Sequence, residues 1–153
     1  DHNSGWHFVK YPFYGDDDAG KLEADYAEIR LAEVYYSLAE SKFRTGDLAG
    51  AGKLLNEVRK RNYPAEFHSE YLYKPDGKVD LTEAELLDEW GREFFAEGRR
   101  RTDLVRFGKF TTGTWWDKQP DKDNHWELLP LHRDILNINL NLRQNPGYEE
   151  ISR

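Results

Sequence analysis

The sequence predicts a mainly α-helical fold in which a helical hairpin and further helices are joined by long irregular loops. Two neighbouring stretches place apolar residues at spacings of three and four, which is the period of an amphipathic helix. They are Ala32, Tyr35, Tyr36, Ala39 and Phe43 in the first stretch and Leu48, Ala51, Leu54, Leu55 and Val58 in the second. A third helix is indicated from Thr82 onward, and the intervening segments are rich in Gly, Pro and Asp, which favour loops.

The predicted hairpin covers residues 28–62. Gly46 follows the first stripe and favours the left-handed conformation that ends many helices, and Asp47 favours the N-cap of the next helix. Gly50 and Gly52 weaken the second helix by about 1 kcal/mol each relative to Ala, so packing against the first helix has to stabilise it. A helix pair of this kind is typical of a tetratricopeptide unit. One unit cannot bury its own apolar face, so we expect it to be part of a larger α-helical fold.

The rest of the chain is organised around a charged helical segment. Residues 1–27 are predicted to be an irregular lead-in, and residues 111–153 a loop-rich tail. Between them, residues 82–110 are predicted to hold a helix that begins with a capping box formed by Thr82 and Glu85. The buried face of this helix is predicted to contain Leu86, Leu87, Trp90, Phe94 and Phe95.

Composition excludes several classes of protein. The chain has 153 residues with 14% aromatic residues, which indicates a folded domain, and a net charge of −7, which argues against a nucleic-acid partner. The absence of cysteine excludes disulfides and thiolate metal sites. No apolar run approaches the roughly 20 residues that span a bilayer. Because the chain lacks an initiator Met and a signal segment, we expect it to be an internal or C-terminal piece of a longer protein.

Five charged residues lie among apolar ones near position 100: Glu93, Glu97, Arg100, Asp103 and Arg106. An ion-pair network that stabilises the fold is the favoured interpretation, because an aspartate between two arginines can accept bidentate hydrogen bonds and a buried charge needs a partner. The alternative is catalysis by Glu93 and Glu97, whose (i, i+4) spacing is compatible with the carboxylate pair of a glycoside hydrolase. Any pair at that spacing is compatible with it, so the spacing alone does not favour catalysis.

No pattern in the sequence predicts a metal ion or a cofactor. The five histidines lack the spacing of metal ligands. Acidic runs at 16–18 and 121–124 offer oxygen ligands that suit Ca²⁺, but neither matches the twelve-residue calcium loop, so solvated acidic loops are the simpler interpretation. The sequence also lacks a nucleophile elbow and a phosphate-binding glycine loop.

Aromatic residues in the predicted loops are candidate sugar-binding residues. Trp115 and Trp116 lie in a Gly/Thr-rich loop, and Tyr71 and Tyr73 lie in the other long loop. A flat aromatic face can stack on the apolar face of a sugar, while neighbouring polar groups bind its hydroxyls. The alternative is that these rings close the core beneath a long loop.

Three stretches, in this order, resemble the C-terminal region of the SusD/RagB family: "EIRLAEVYYSLAESKFRTGDLAGAGKLLNEVRKR", "LTEAELLDEWGREFFAEGRRRTDLVRFGKF" and "LLPLHRDILNINLNLRQNPGY". The resemblance covers residues 28–148. The family pattern Glu-x-x-Arg-Glu, Phe-Glu-Gly-x-Arg and Asp-Leu-x-Arg corresponds to Glu89, Arg92, Glu93, Glu97, Gly98, Arg100, Asp103, Leu104 and Arg106. The sequence departs from the family at Trp90, Ala96, His132 and Leu140, which affects local conformation.

The resemblance implies a SusD-like α-helical fold and a non-enzymatic nutrient-binding lipoprotein exposed on the bacterial outer membrane. Its expected partners are an oligosaccharide or polysaccharide and a SusC-like TonB-dependent transporter. Membrane attachment is expected only through a lipid anchor outside this chain, and no cofactor or nucleic acid is expected. Two alternatives stay open: a tetratricopeptide-type protein-interaction scaffold that binds no sugar, and a glycoside hydrolase that uses Glu93 and Glu97.

Overall fold

The computed structural model describes Lys10 and residues 26–150, and this part of the chain is mainly helical, as predicted. The α-helices are α1 Leu31–Arg44, α2 Leu48–Arg59, α3 His68–Tyr71, α4 Glu83–Glu93, α5 Arg100–Arg106 and α6 Arg133–Ile138. Short 3-10 helices occupy Lys60–Asn62, Ala65–Phe67 and His125–Glu127. The chain forms two compact units, one up to residue 88 and the other from residue 89. Most of the predicted lead-in, including the acidic run at 16–18, lies outside the described residues.

Helices α1 and α2 pack against each other as the predicted hairpin. Gly46 has a φ of 89°, which is the left-handed conformation expected after α1. Asp47 caps α2, since its carboxylate accepts a hydrogen bond from the Gly50 backbone N at 2.8 Å. Hydrogen bonding by Lys42 and then by this backbone N–H lowers the pKa of Asp47 from its ordinary value. The predicted left-handed conformation of Gly46 and the predicted N-cap at Asp47 are therefore confirmed. The assignment of the hairpin to the tetratricopeptide class stays a prediction.

The predicted apolar stripes are correct at their centres and wrong at one end. Ala32, Tyr36 and Ala39 of α1 are buried, as are Ala51, Leu55 and Val58 of α2. Leu48 is exposed, because it is the first residue of α2. Helix α1 begins at Leu31 and not at residue 28.

A buried asparagine joins α2 to the segment that follows it. Asn56 Nδ2 donates to the Tyr73 carbonyl oxygen at 2.8 Å, and Asn56 Oδ1 accepts from the Tyr73 backbone N at 2.9 Å. Gly52 lies one turn earlier on the same helix, and a Cβ at that position would collide with the Lys74 carbonyl oxygen. Gly52 therefore permits the close approach of the segment that Asn56 binds. Tyr73 also forms an isolated β-bridge with Val79 in this segment.

The predicted helix within 82–110 is interrupted. Thr82 Oγ1 accepts from the Glu85 backbone N at 3.1 Å, so the cap is confirmed. Helix α4 nevertheless ends at Glu93, and the following turn contains Ala96 and Gly98 with φ values of 60° and 74°. The prediction that Phe95 is buried is wrong: it is 59% exposed, because the helical period ends two residues before it.

In the loop-rich tail, side chains form hydrogen bonds to backbone groups of residues distant in the sequence. Gln144 binds both backbone groups of Leu131, accepting from its N at 2.8 Å and donating to its carbonyl oxygen at 3.0 Å. The Tyr148 hydroxyl donates to the Leu128 carbonyl oxygen at 2.7 Å. Over the described residues, no helix combines the length and the apolar character needed to cross a membrane.

We expect Asn56→Ala to lower the free energy of unfolding by about 2–4 kcal/mol, because two buried backbone groups of Tyr73 lose their partner. Urea unfolding followed by circular dichroism measures this. The matched control is Asn62→Ala, at an exposed position, for which we expect a change below about 0.5 kcal/mol. Equal losses in the two variants would contradict the bridging role of Asn56.

Candidate functional site

The second unit contains a charged cluster that lies on α4, on α5 and immediately before α5. We use this name for Glu89, Arg92, Arg99, Arg100, Asp103 and Arg106. Asp103 is 1% exposed, and its Oδ1 accepts a hydrogen bond from Arg106 Nη2 at 2.9 Å. Its Oδ2 is buried with no hydrogen-bond partner among the described residues. A buried carboxylate of this kind depends strongly on its cation.

Arginine side chains also contact the aromatic core of the cluster. The guanidinium carbons of Arg99 and Arg106 lie 5.0 Å and 5.3 Å from the centre of the Trp90 ring. Each is close enough for a cation–π interaction. Arg100 passes beside α4, where a Cβ added to Gly91 would come within 2.8 Å of Arg100 Nη1. These arginine side chains therefore pack along α4 and α5.

The structure brings part of the predicted ion-pair network together. Asp103 and Arg106 form a pair, and Glu89 and Arg92 form a further pair at 2.8 Å. Glu97 lies in the turn after α4 and is 8% exposed, and Glu93 and Glu97 both have interaction partners within the fold. The (i, i+4) helical ladder that motivated the catalytic alternative ends at Glu93, because Glu97 is not on the helix.

The acidic segment that follows the loop tip is engaged in local contacts. The Asp123 carboxylate pairs with the imidazole of His125 and also accepts from the His125 backbone N at 3.0 Å. These two hydrogen bonds, the side-chain one first, lower the pKa of Asp123 from its ordinary value. Within residues 26–150, no group of three or more His, Asp or Glu side chains is placed to hold a metal ion.

Among the residues that the structure describes, the most exposed aromatic residue lies at the tip of a loop that we call the Trp loop, residues 111–127. Trp116 is fully exposed, with a relative accessibility of 101%. Its neighbour Trp115 is half-buried and pairs with Lys118 through two backbone hydrogen bonds of 3.0 and 3.4 Å. The tight turn between these paired residues places Trp116 at its outer end.

The base of the Trp loop is held by three contacts. The Asp121 backbone N donates to the Thr111 carbonyl oxygen at 2.8 Å. The hydroxyl of Thr111, which is buried, donates to Glu127 Oε1 at 2.8 Å. Arg101 of α5 donates to the Trp126 carbonyl oxygen at 2.8 Å. The two ends of the loop are therefore fastened to each other and to the helix that carries Asp103.

The two tyrosine candidates differ in accessibility. Tyr73 is fully buried, its hydroxyl donates to Glu85 Oε1 at 2.8 Å, and the Arg59 guanidinium lies 4.7 Å from its ring centre. Tyr73 is thus removed from the candidate sugar-binding residues, because its ring faces the core. Tyr71 is 40% exposed and stacks on Tyr63 with ring centres 5.1 Å apart. Its role in sugar binding stays a prediction.

The residues that shape the Trp loop are not among the candidates that the sequence predicts. Lys118 Nζ and Asp121 Oδ2 lie 2.7 Å apart. The (i, i+3) spacing of these two residues is a local signal from which the ion pair could have been predicted. The contacts of Thr111 and Arg101 span 16 and 25 residues, and no local pattern indicates them.

Comparison with known proteins decides the family. The sequence model of the SusD family matches residues 2–148. The chain belongs to the SusD family. It is 37% identical over 158 aligned positions to the starch-binding protein SusD of Bacteroides thetaiotaomicron. That alignment covers 95% of this chain and 26% of the relative, so the chain spans about a quarter of the length of the curated relative it matches.

Family membership confirms the resemblance that the motifs predict. The residues of this SusD-family chain that match the family pattern include Glu89, Arg92, Asp103 and Arg106, which form the two pairs of the charged cluster. Trp116 lies outside that pattern. Within the second unit, the residues that match this pattern and the exposed Trp116 therefore lie in different segments.

We expect Thr111→Val to lower the free energy of unfolding by about 1–2 kcal/mol, because it keeps the shape of the side chain but removes the hydrogen bond to Glu127. Thermal or urea unfolding measures the loss. Thr114→Val is the matched control, because Thr114 is exposed in the same loop. If Thr111→Val is as stable as the parent chain, the hydroxyl does not fasten the base of the Trp loop.

Proposed function

We propose that this chain is part of a surface nutrient-binding protein that binds an oligosaccharide or polysaccharide without cleaving it. Family membership and the 37% identity to a protein named for starch binding support this function. A starch-like glucan is accordingly the first ligand to test. The observation that carries the proposal is the full exposure of Trp116 on a loop fastened at its base.

The geometry of Trp116 supports stacking on a sugar. An indole offers a large, rigid, apolar face, and burying it against the C–H face of a sugar ring removes apolar surface from water. The side chains of Asp117 and Gln119 are exposed beside it and can accept or donate hydrogen bonds to hydroxyl groups. This combination favours recognition of a carbohydrate over that of a purely apolar ligand.

The carboxylates near position 100 favour binding over hydrolysis. A glycoside hydrolase needs two carboxyl groups that reach the same glycosidic bond. Glu97 is largely buried, and both Glu93 and Glu97 have partners within the fold. Asp103 is more deeply buried still and is paired with Arg106.

We further propose that the whole protein passes its glycan to a SusC-like TonB-dependent transporter at the surface of the outer membrane. The resemblance to the SusD/RagB family supports this partner and this location, with membrane attachment through a lipid anchor outside the present chain. The α1–α2 hairpin favours one competing role, a protein-interaction scaffold that binds no sugar, because paired helices of this type offer surfaces to other proteins.

Trp116→Ala is expected to weaken binding of soluble starch about tenfold or more, since an exposed Trp that becomes buried in an interface commonly contributes more than 1 kcal/mol. Isothermal titration calorimetry or affinity electrophoresis in starch-containing gels measures the change. Phe95→Ala is the control, because Phe95 is another exposed aromatic residue outside the Trp loop.

The competing roles predict different results. Unchanged starch affinity in Trp116→Ala would contradict the proposed sugar contact. Failure of the parent protein to bind starch or any other glycan on an array, together with co-purification of a transporter, would favour the scaffold role. Release of reducing sugar by the parent protein would favour the hydrolase.

A further inference from the structure

The two tryptophans of the Trp loop differ in surroundings although they are neighbours in the sequence. Trp116 is fully exposed, whereas the indole of Trp115 lies against Gly113. A Cβ added at Gly113 would collide with that ring, coming within 2.7 Å of Cη2, and would also lie 2.6 Å from the Lys109 carbonyl oxygen. Gly113 is therefore the surface on which Trp115 packs.

An ion pair closes the turn on its other side. Lys118 Nζ lies 2.7 Å from Asp121 Oδ2, and both side chains are less than a third exposed. Through its backbone, Lys118 pairs with Trp115, and Asp121 binds Thr111. The side-chain contact thus links the tip of the loop to its fastened base.

We propose that Trp115, Gly113 and the Lys118–Asp121 pair are positioning residues that hold Trp116 in the orientation required for sugar stacking. This inference rests on the proposed sugar-binding role of Trp116. A side chain held on a short, fastened turn loses less conformational freedom on binding than one on a mobile loop, and preorganisation of this kind raises affinity without adding a contact. In this arrangement Trp115 anchors the turn, and Trp116 touches the ligand.

The experiment is a double-mutant cycle on affinity for soluble starch, measured with the whole protein. Lys118→Met removes the ion pair and retains an unbranched side chain, and we expect it to weaken binding three- to tenfold at an unchanged melting temperature. Lys118→Arg keeps the charge and is expected to restore the affinity to within twofold of the parent. The matched control is Lys60→Met, which removes another (i, i+3) pair, with Glu57, in the first unit.

The cycle separates positioning from direct contact. In a Trp116→Ala background, Lys118→Met is expected to cause no further loss, because there is no indole left to orient. Gly113→Ala, which displaces the Trp115 ring, is expected to behave in the same way and provides a second, independent perturbation of the turn.

The outcomes distinguish the inference from the proposed function. If Trp116→Ala leaves starch affinity unchanged, the proposed sugar contact is overturned. If Trp116→Ala weakens binding but Lys118→Met and Gly113→Ala do not, only the positioning inference is overturned. Equal losses from Lys118→Met in the parent and in Trp116→Ala would also overturn it, because Lys118 would then act on the ligand independently of Trp116.

Discussion

The burial of the Asp103 carboxylate is the constraint on which the second unit depends. An ionised carboxyl group removed from water is costly unless a cation and hydrogen bonds replace its hydration. Arg106 supplies that cation three residues later on α5, and its guanidinium also lies over the ring of Trp90 on α4. One arginine thereby joins the charge on one helix to the aromatic core of the other, which fixes α5 against α4. Arg101, on the same helix, then fastens the end of the Trp loop.

The charged cluster and the exposed Trp116 lie in different segments of the second unit. The carboxylates of Glu97 and Asp103 are buried, and both Glu93 and Glu97 have interaction partners within the fold. The side chain of Trp116, in contrast, is fully exposed to solvent. The full exposure of Trp116 supports the role in ligand binding that we propose for the second unit.

The sequence predicted those features that arise from local chemistry. Gly46, Asp47 and Thr82 end or begin helices through contacts within a few residues, and the structure confirms all three.

Features that depend on contacts between distant parts of the chain were not predictable from the sequence. The left-handed conformation of Ala96 has no signal in the sequence, so the end of α4 at Glu93 and the exposure of Phe95 were missed. The aromatic candidates show the same limit. Alternation and loop composition do not distinguish buried Tyr73 from exposed Trp116, because the partners of Tyr73, among them Asn56 and Glu85, come from distant positions.

The central claim is that Asp103 and Arg106 stabilise each other as a structural pair. It is tested most directly by a double-mutant cycle in which Asp103→Ala, Arg106→Ala and the combined variant are compared by urea unfolding. Because the carboxylate is buried while the arginine is partly exposed, we predict a coupling free energy of about 1–2 kcal/mol, with the double variant less destabilised than the sum of the two single variants. Strictly additive losses would contradict the account, since the two side chains would then contribute independently and the charged cluster would need another explanation.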